Sequence, residues 1–135
     1  MNNLIKLEKV YKIYNPGESE VHALDGISLK INKGEFIAII GKSGSGKSTL
    51  MNILGCLDIP TSGTYLLKDK NISEANDKYL SEIRNKEIGF IFQGFNLIPS
   101  LDSLENVELP LIYRGILKKE RRELAREALI KVGLE

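Results

Sequence analysis

Eight consecutive residues, Gly41-Lys42-Ser43-Gly44-Ser45-Gly46-Lys47-Ser48, constrain this 135-residue chain more than any other stretch. They follow the pattern glycine, four residues, glycine-lysine-serine/threonine. The glycines let backbone N–H groups turn inward around a phosphate with no Cβ in the way, which makes an anion-binding nest. Lys47 is then placed to reach the β and γ phosphates of a nucleotide as a point charge, and the Ser48 hydroxyl is the expected ligand for Mg²⁺. The flanks fit the same geometry. Phe36, Ile37, Ala38, Ile39 and Ile40 form an unbroken apolar run that predicts a buried parallel strand. Residues 48–54 predict a helix, with Leu50, Met51, Ile53 and Leu54 on one side and Gly55 as a stop. Strand, glycine loop and helix N-terminus in that order put the helix dipole behind the phosphate, adding about half a positive charge to the site.

The remaining residues limit what such a site can belong to. A chain of 135 residues is long enough for one domain with a real core. Lys and Arg number 19 against 18 Asp and Glu, so no basic excess points to nucleic acid. The apolar run at residues 36–40 is too short to span a bilayer, and Met1-Asn2-Asn3-Leu4 lacks the pattern of an export signal. The lone Cys56 has no partner for an internal disulfide and reads as a packed small hydrophobe, in keeping with a reducing cytosol.

Along the chain, alternation around Ile5 and Leu7 predicts a strand over residues 4–10 with one wet face. Tyr11 and Tyr14 follow, then turn chemistry at Asn15-Pro16-Gly17-Glu18, and a second alternating strand at residues 27–31. These two make an antiparallel layer that runs into the nucleotide-binding core. After the helix, Pro60-Thr61-Ser62-Gly63 is a turn and residues 64–68 a short strand. Residues 76–84 predict a helix burying Tyr79, Leu80 and Ile83, and residues 88–92 a second buried strand ending at Gln93. Asp102 or Ser103 is positioned to cap a helix through Leu109. Residues 118–132 form the clearest helical pattern, with Leu124, Ala125, Ala128, Leu129 and Val132 as its apolar stripe. Its Arg121-Arg122 pair reads as part of a solvated, mixed-charge face rather than an anion site.

The glycine loop, followed by Ile91-Phe92-Gln93-Gly94-Phe95-Asn96-Leu97 and preceded by an aromatic residue, resembles the nucleotide-binding domain of ATP-binding cassette (ABC) transporters. Asn52-Ile53-Leu54-Gly55-Cys56-Leu57-Asp58 and Glu105-Asn106-Val107-Glu108-Leu109-Pro110-Leu111 look more narrowly like the macrolide-export and lipoprotein-release branch. The resemblance implies an α/β fold: a P-loop NTPase core of ABC type with an N-terminal antiparallel β layer, over residues 1–100, and the start of a helical subdomain, over residues 101–135. It implies that ATP with Mg²⁺ is the ligand and that Tyr14 stacks on adenine, with Tyr11 the alternative and a buried sheet tyrosine the plainer reading of either. Thr49 becomes a further phosphate contact. Gln93 becomes the glutamine that ligates Mg²⁺ or orients water; without the resemblance it is an ordinary polar residue closing a strand. The implied partners are a transmembrane permease subunit and a second ATP-binding subunit that completes a nucleotide sandwich. The implied location is cytoplasmic, peripheral on the inner face of the plasma membrane.

One departure bears on activity. The family's Leu-Ser-Gly-Gly-Gln signature, its apolar strand ending in Asp and Glu, and its late switch histidine do not occur in these 135 residues, and the single histidine, His22, lies before the phosphate loop. Asp58 and Asp69 stand near turns rather than at the end of an apolar strand, so neither reads as a metal carboxylate or general base. The expectation is the front part of an ATP-binding subunit that binds nucleotide and hydrolyses it poorly or not at all. The alternatives are a truncated nucleotide-binding module without catalysis and, ranked last, another phosphate-loop kinase or GTPase. If central strands lie beyond residue 135, the apolar segments 36–40 and 88–92 are expected to be left uncovered, inviting oligomerisation or strand exchange.

Overall fold

A computed structural model describes residues 3–17 and 19–134; Glu18, the last residue of the first expected turn, lies outside them. The described residues form two compact units that meet at the Ile88–Gly89 bond.

The first unit is built on one antiparallel sheet of strand order β2-β1-β3-β4, comprising β1 (Asn3–Tyr14), β2 (Val21–Asn32), β3 (Ser62–Leu67) and β4 (Lys70–Asn71). Both long strands run further than their alternation predicts, because a register irregularity interrupts the pattern. Ladder pairing of β1 with β3 slips between Glu8 and Tyr11, and Lys9 there has φ 47°. Its N–H donates to the Ser28 hydroxyl at 3.0 Å. Gly63 fits against this bulge only because it has no side chain, since a Cβ would stand 2.2 Å from the Lys9 carbonyl oxygen. Lys68 and Asp69 both have positive φ and form the two-residue turn between Leu67 and Lys70, so Lys68 is turn rather than strand.

Helix α1 (Lys47–Leu54) and helix α2 (Asp77–Lys86) belong to the same unit and bury Leu50, Ile53, Leu80 and Ile83 in a core with Leu7, Val10 and Tyr65 of the sheet. Met51, expected inside, is 47% exposed; it lies about 100° round the helix from Leu50. Cys56 is fully buried, as a packed hydrophobe would be, and its burial pushes the thiol pKa up. Tyr65 is also fully buried, and its hydroxyl donates to the Leu54 carbonyl at 2.8 Å. That carbonyl is one of the four that a helix end leaves without an intrahelical partner.

The second unit is helical. Helix α3 (Ser103–Tyr113) starts at an N-cap Asp102 whose carboxylate accepts from the Glu105 N–H at 2.7 Å, while Glu105 accepts from the Asp102 N–H at 3.0 Å. The helix carries on through Pro110, because a proline there costs one hydrogen bond and the turn beyond closes on Pro110 and Ile112 carbonyls. Helix α4 (Lys118–Lys131) turns back on it, with Ala125 fully buried; Leu124 and Val132 of the expected stripe are exposed. The Arg pair divides: Arg122 keeps half of its side chain in solvent, as a mixed-charge face would, while Arg121 turns in toward the facing helix. Arg121 Nε donates to buried Glu108 Oε2 at 3.0 Å, and Arg122 Nε lies 3.2 Å from Glu108 Oε1.

The two buried parallel strands expected at residues 36–40 and 88–92 are not formed. Both segments lack strand structure, with Phe36 97%, Ile40 91% and Ile91 100% exposed. A parallel strand takes its burial and its ladder hydrogen bonds from neighbours, and among the described residues no strand pairs with either segment. Side-chain order survives locally: Phe90 and Phe92 stack with centroids 5.1 Å apart, and Ile39 and Ile88 pack at the edge of the first unit's core.

Candidate functional site

The phosphate loop ends on Gly46, which is the N-cap of α1 in the left-handed conformation, φ 85°, and no side chain caps the helix. The first backbone N–H groups of α1 therefore have no intrahelical acceptor and stand at the positive end of the helix dipole. Position 46 tolerates nothing larger than hydrogen. A Cβ there would meet the Ala23 carbonyl oxygen at 2.3 Å and Leu24 Cδ2 at 3.2 Å, so the turn is seated directly on β2. At Gly44, φ is 79° with open surroundings, and the backbone angle alone asks for glycine. A Cβ on Gly41 would lie 2.6 Å from Ser45 Oγ.

Lys47 folds across the loop. Its ammonium donates to the Lys42 carbonyl at 2.5 Å and to Ser45 Oγ at 3.4 Å, and the Ser45 N–H donates to the same carbonyl at 3.2 Å. Lys42, Ser43 and Ser48 are exposed, and Thr49 is half-buried beside Ser48 at the helix start. Residues 41–49 thus gather an uncapped helix mouth, a turn that a Cβ at Gly46 would fill, hydroxyls and the Lys42 and Lys47 ammonium groups, a donor set suited to a polyphosphate.

Tyr14 ends β1 in a small polar cluster. Its hydroxyl donates to Asp58 Oδ2 at 3.2 Å, and the Lys12 ammonium lies 5.2 Å from its ring centroid. Lys12 Nζ also donates to Asp58 Oδ1 at 2.6 Å and to the Ile59 carbonyl at 2.9 Å. Tyr11 is placed differently: its phenol lies over Gly26 of β2, at 2.9 Å from where a Cβ would be. Lys12 and Tyr14 stand two apart on a strand, the spacing that shares a face, but their link to Asp58 spans more than forty residues and left no local signal.

Desolvation by burial works against ionisation of Asp58, but the Lys12 ammonium, the Ile59 N–H and the Tyr14 hydroxyl outweigh it and hold the carboxyl below its ordinary value. A depressed folded pKa adds stability above the unfolded value, about 3.9, and that contribution is lost as pH falls through the folded value. Asp58→Asn is therefore expected to flatten the acid limb of stability against pH below about pH 4. Urea midpoints of both proteins across the acid range test this; parallel acid limbs would contradict it.

Gln93 lies in the second unit, exposed at a bend, and follows an irregular segment rather than closing a strand. His22 stands exposed on β2 and bonds to Glu20. The buried Glu108 with its two arginines is a second polar feature that the sequence did not disclose; the visible sign was the Arg121-Arg122 pair, read for its own charge alone. Among the described residues, no helix is long and apolar enough to cross a membrane.

A family model described as "ABC transporter" matches residues 24–135. An ATP-binding protein of this kind from Thermotoga maritima, its function uncharacterised, is 52% identical over 99% of this chain and 57% of its own length. Another from Bacillus subtilis, YvrO, is 56% identical over 98% of this chain and 58% of its own length. The macrolide export ATP-binding/permease protein MacB of Hyphomonas neptunium is 53% identical over 97% of this chain but only 20% of its length. Among solved structures, the ATP-binding cassette MJ0796, dimeric and bound to ADP and Pi, is 48% identical and superposes with a TM-score of 0.87 over 97% of this chain and 58% of that one. The chain therefore spans a little under three fifths of the stand-alone cassettes it matches. Its antiparallel sheet, phosphate loop and following helices make up part of a cassette domain, and the chain belongs to the ABC transporter family.

Proposed function

We propose that this chain is the nucleotide-holding part of an ATP-binding subunit that energises transport by a partner membrane permease. The observation that carries this is the helix mouth at Gly46, left uncapped, seated on the Ala23 carbonyl, with the Lys47 ammonium reaching back across the loop. An anion entering there exchanges the Lys42 carbonyl for its own oxygens as the partner of Lys47, and meets the free N–H groups of the first turn. Residues 41–49 hold the phosphates, Ser48 offers a hard oxygen to Mg²⁺, and Tyr14 stacks on the base. Gln93 orients water or completes the metal shell and links the site to the permease. Bound Mg²⁺ neutralises charge on the β and γ phosphates. Residues 1–100 serve the nucleotide and residues 101–135 begin the surface that meets the permease, at the inner face of the membrane. A second subunit closes over the bound ATP, as the dimeric state of the MJ0796 cassette suggests.

The exposed segments 36–40 and 88–92 favour a second reading for these 135 residues taken alone, a module that binds nucleotide without turning it over. Both readings predict ATP binding that strengthens with Mg²⁺, and the second adds phosphate release at the background rate. Calorimetric titration with ATP and GTP, with and without Mg²⁺, tests the binding. A phosphate-release assay comparing the chain with Lys47→Ala tests the turnover. No heat with either nucleotide would remove the proposal, and release abolished by the substitution would remove the inactive module.

A further inference from the structure

We propose that Lys12 and Asp58 are positioning residues that lock the Tyr14 ring as a one-faced platform for a planar heteroaromatic base. The inference rests on the reading of Tyr14 as the base contact and adds to it the device that holds the ring.

A tyrosine at the end of a strand turns freely about two side-chain torsions, and a ring that samples several rotamers makes a poor stacking surface. Here two attachments to the ring, each braced by further bonds, restrict that freedom. The phenol hydroxyl donates to one carboxylate oxygen of Asp58 at 3.2 Å, and the other oxygen accepts from Lys12 at 2.6 Å. The Lys12 ammonium is held in turn by the Ile59 carbonyl at 2.9 Å and stands 5.2 Å from the ring centroid, within cation–π range. Asp58 is itself fixed by the Ile59 N–H at 2.8 Å. The whole set hangs on the segment after α1, which is clipped to β1 through Thr61: its N–H donates to the Tyr11 carbonyl at 2.8 Å, and its hydroxyl accepts from the Ile13 N–H at 3.0 Å.

Two consequences follow for a ligand. The cation covers one ring face, so an incoming base has the other, and Tyr14 remains 37% exposed to receive it. A cation on the far face also draws π-electron density away from the open one, which favours an electron-rich purine. The segment bearing Asp58 is continuous with the C-terminal end of α1, the helix whose other end forms the phosphate cradle. The base contact and the phosphate contact are thus referred to one short helix.

The test compares ATP with inorganic tripolyphosphate, which engages the phosphate loop but has no base. Asp58→Asn and Lys12→Gln are each expected to weaken ATP binding about threefold to tenfold, the range for loss of one or two anchoring hydrogen bonds, and to leave tripolyphosphate binding unchanged. Lys12→Arg, which keeps the cation, is expected to recover most of the loss. In the Tyr14→Ala background, Asp58→Asn is expected to have no further effect on ATP affinity. Equal weakening of ATP and tripolyphosphate by Asp58→Asn would show a general structural role and overturn the proposal. So would unchanged ATP affinity in both Asp58→Asn and Lys12→Gln, even where Tyr14→Ala weakens binding and the platform stands. If Tyr14→Ala itself leaves ATP binding intact, the platform fails and the positioning pair with it, while tripolyphosphate binding lost in Lys47→Ala would still uphold the phosphate loop.

Discussion

Lys47→Ala is expected to weaken ATP binding by about tenfold to a hundredfold, because a hydrogen bond to a charged group at such a site is worth roughly 1.5–3 kcal/mol. The same substitution should scarcely alter folding. Among the described residues the ammonium bonds to the Lys42 carbonyl and the Ser45 hydroxyl, both on the exposed loop, so unfolding free energy should move by about 0.5 kcal/mol or less. Titration calorimetry on the two proteins gives the first number and urea denaturation the second. Equal ATP affinities would show that the loop is not the phosphate site. A large loss of stability would show that the lysine is structural.

Gly46→Ala is expected to do the reverse, destabilising the fold by about 2–5 kcal/mol. Two effects add. Alanine at φ 85° adopts a left-handed backbone at a cost of about 1–2 kcal/mol, and its Cβ would have to displace the Ala23 carbonyl oxygen from 2.3 Å. Neither side yields cheaply, since the Ala23 carbonyl is strand backbone and Gly46 itself starts a helix. Gly44→Ala supplies the control. Its φ of 79° is as unfavourable, but no atom lies within 4 Å, so only the backbone strain of about 1–2 kcal/mol remains. Denaturation midpoints that fall equally in the two variants would show that the seat on β2 contributes nothing.

What could be read from the residues, and what could not, divides by the range of the interaction. The loop, helix α1 and the capping box of α3 are local. Gly44 and Gly46, Gly55, and Asp102 as one of two candidate caps each state their conformation within four residues, and the structure places them accordingly, adding the answering bond from Glu105. Strand pairing is not local. The runs at 36–40 and 88–92 carry the composition of central strands, yet composition names no neighbour, and here none of the described strands lies beside them. Polar partnerships across the fold were equally hidden. Asp58 stood aside as a turn residue and proved to be the hub joining Lys12 to Tyr14. Arg121 and Arg122 looked solvated because nothing near them in sequence said that Glu108 would be buried against them. A helical wheel assigns faces, but it does not say which charge the opposite helix brings.

The phenol of Tyr65 has a reach that its position does not suggest. Helix α1 holds only eight residues, about 12 Å of rise, and is fastened at both tips: Gly46 abuts the Ala23 carbonyl, and the Leu54 carbonyl takes the Tyr65 hydroxyl. So short a peg has no room to bend between its fastenings, and tilting one tip swings the other. In the nucleotide complex proposed above, the aim of the helix mouth at the phosphates is thereby set partly from the far end of α1, by a fully buried phenol.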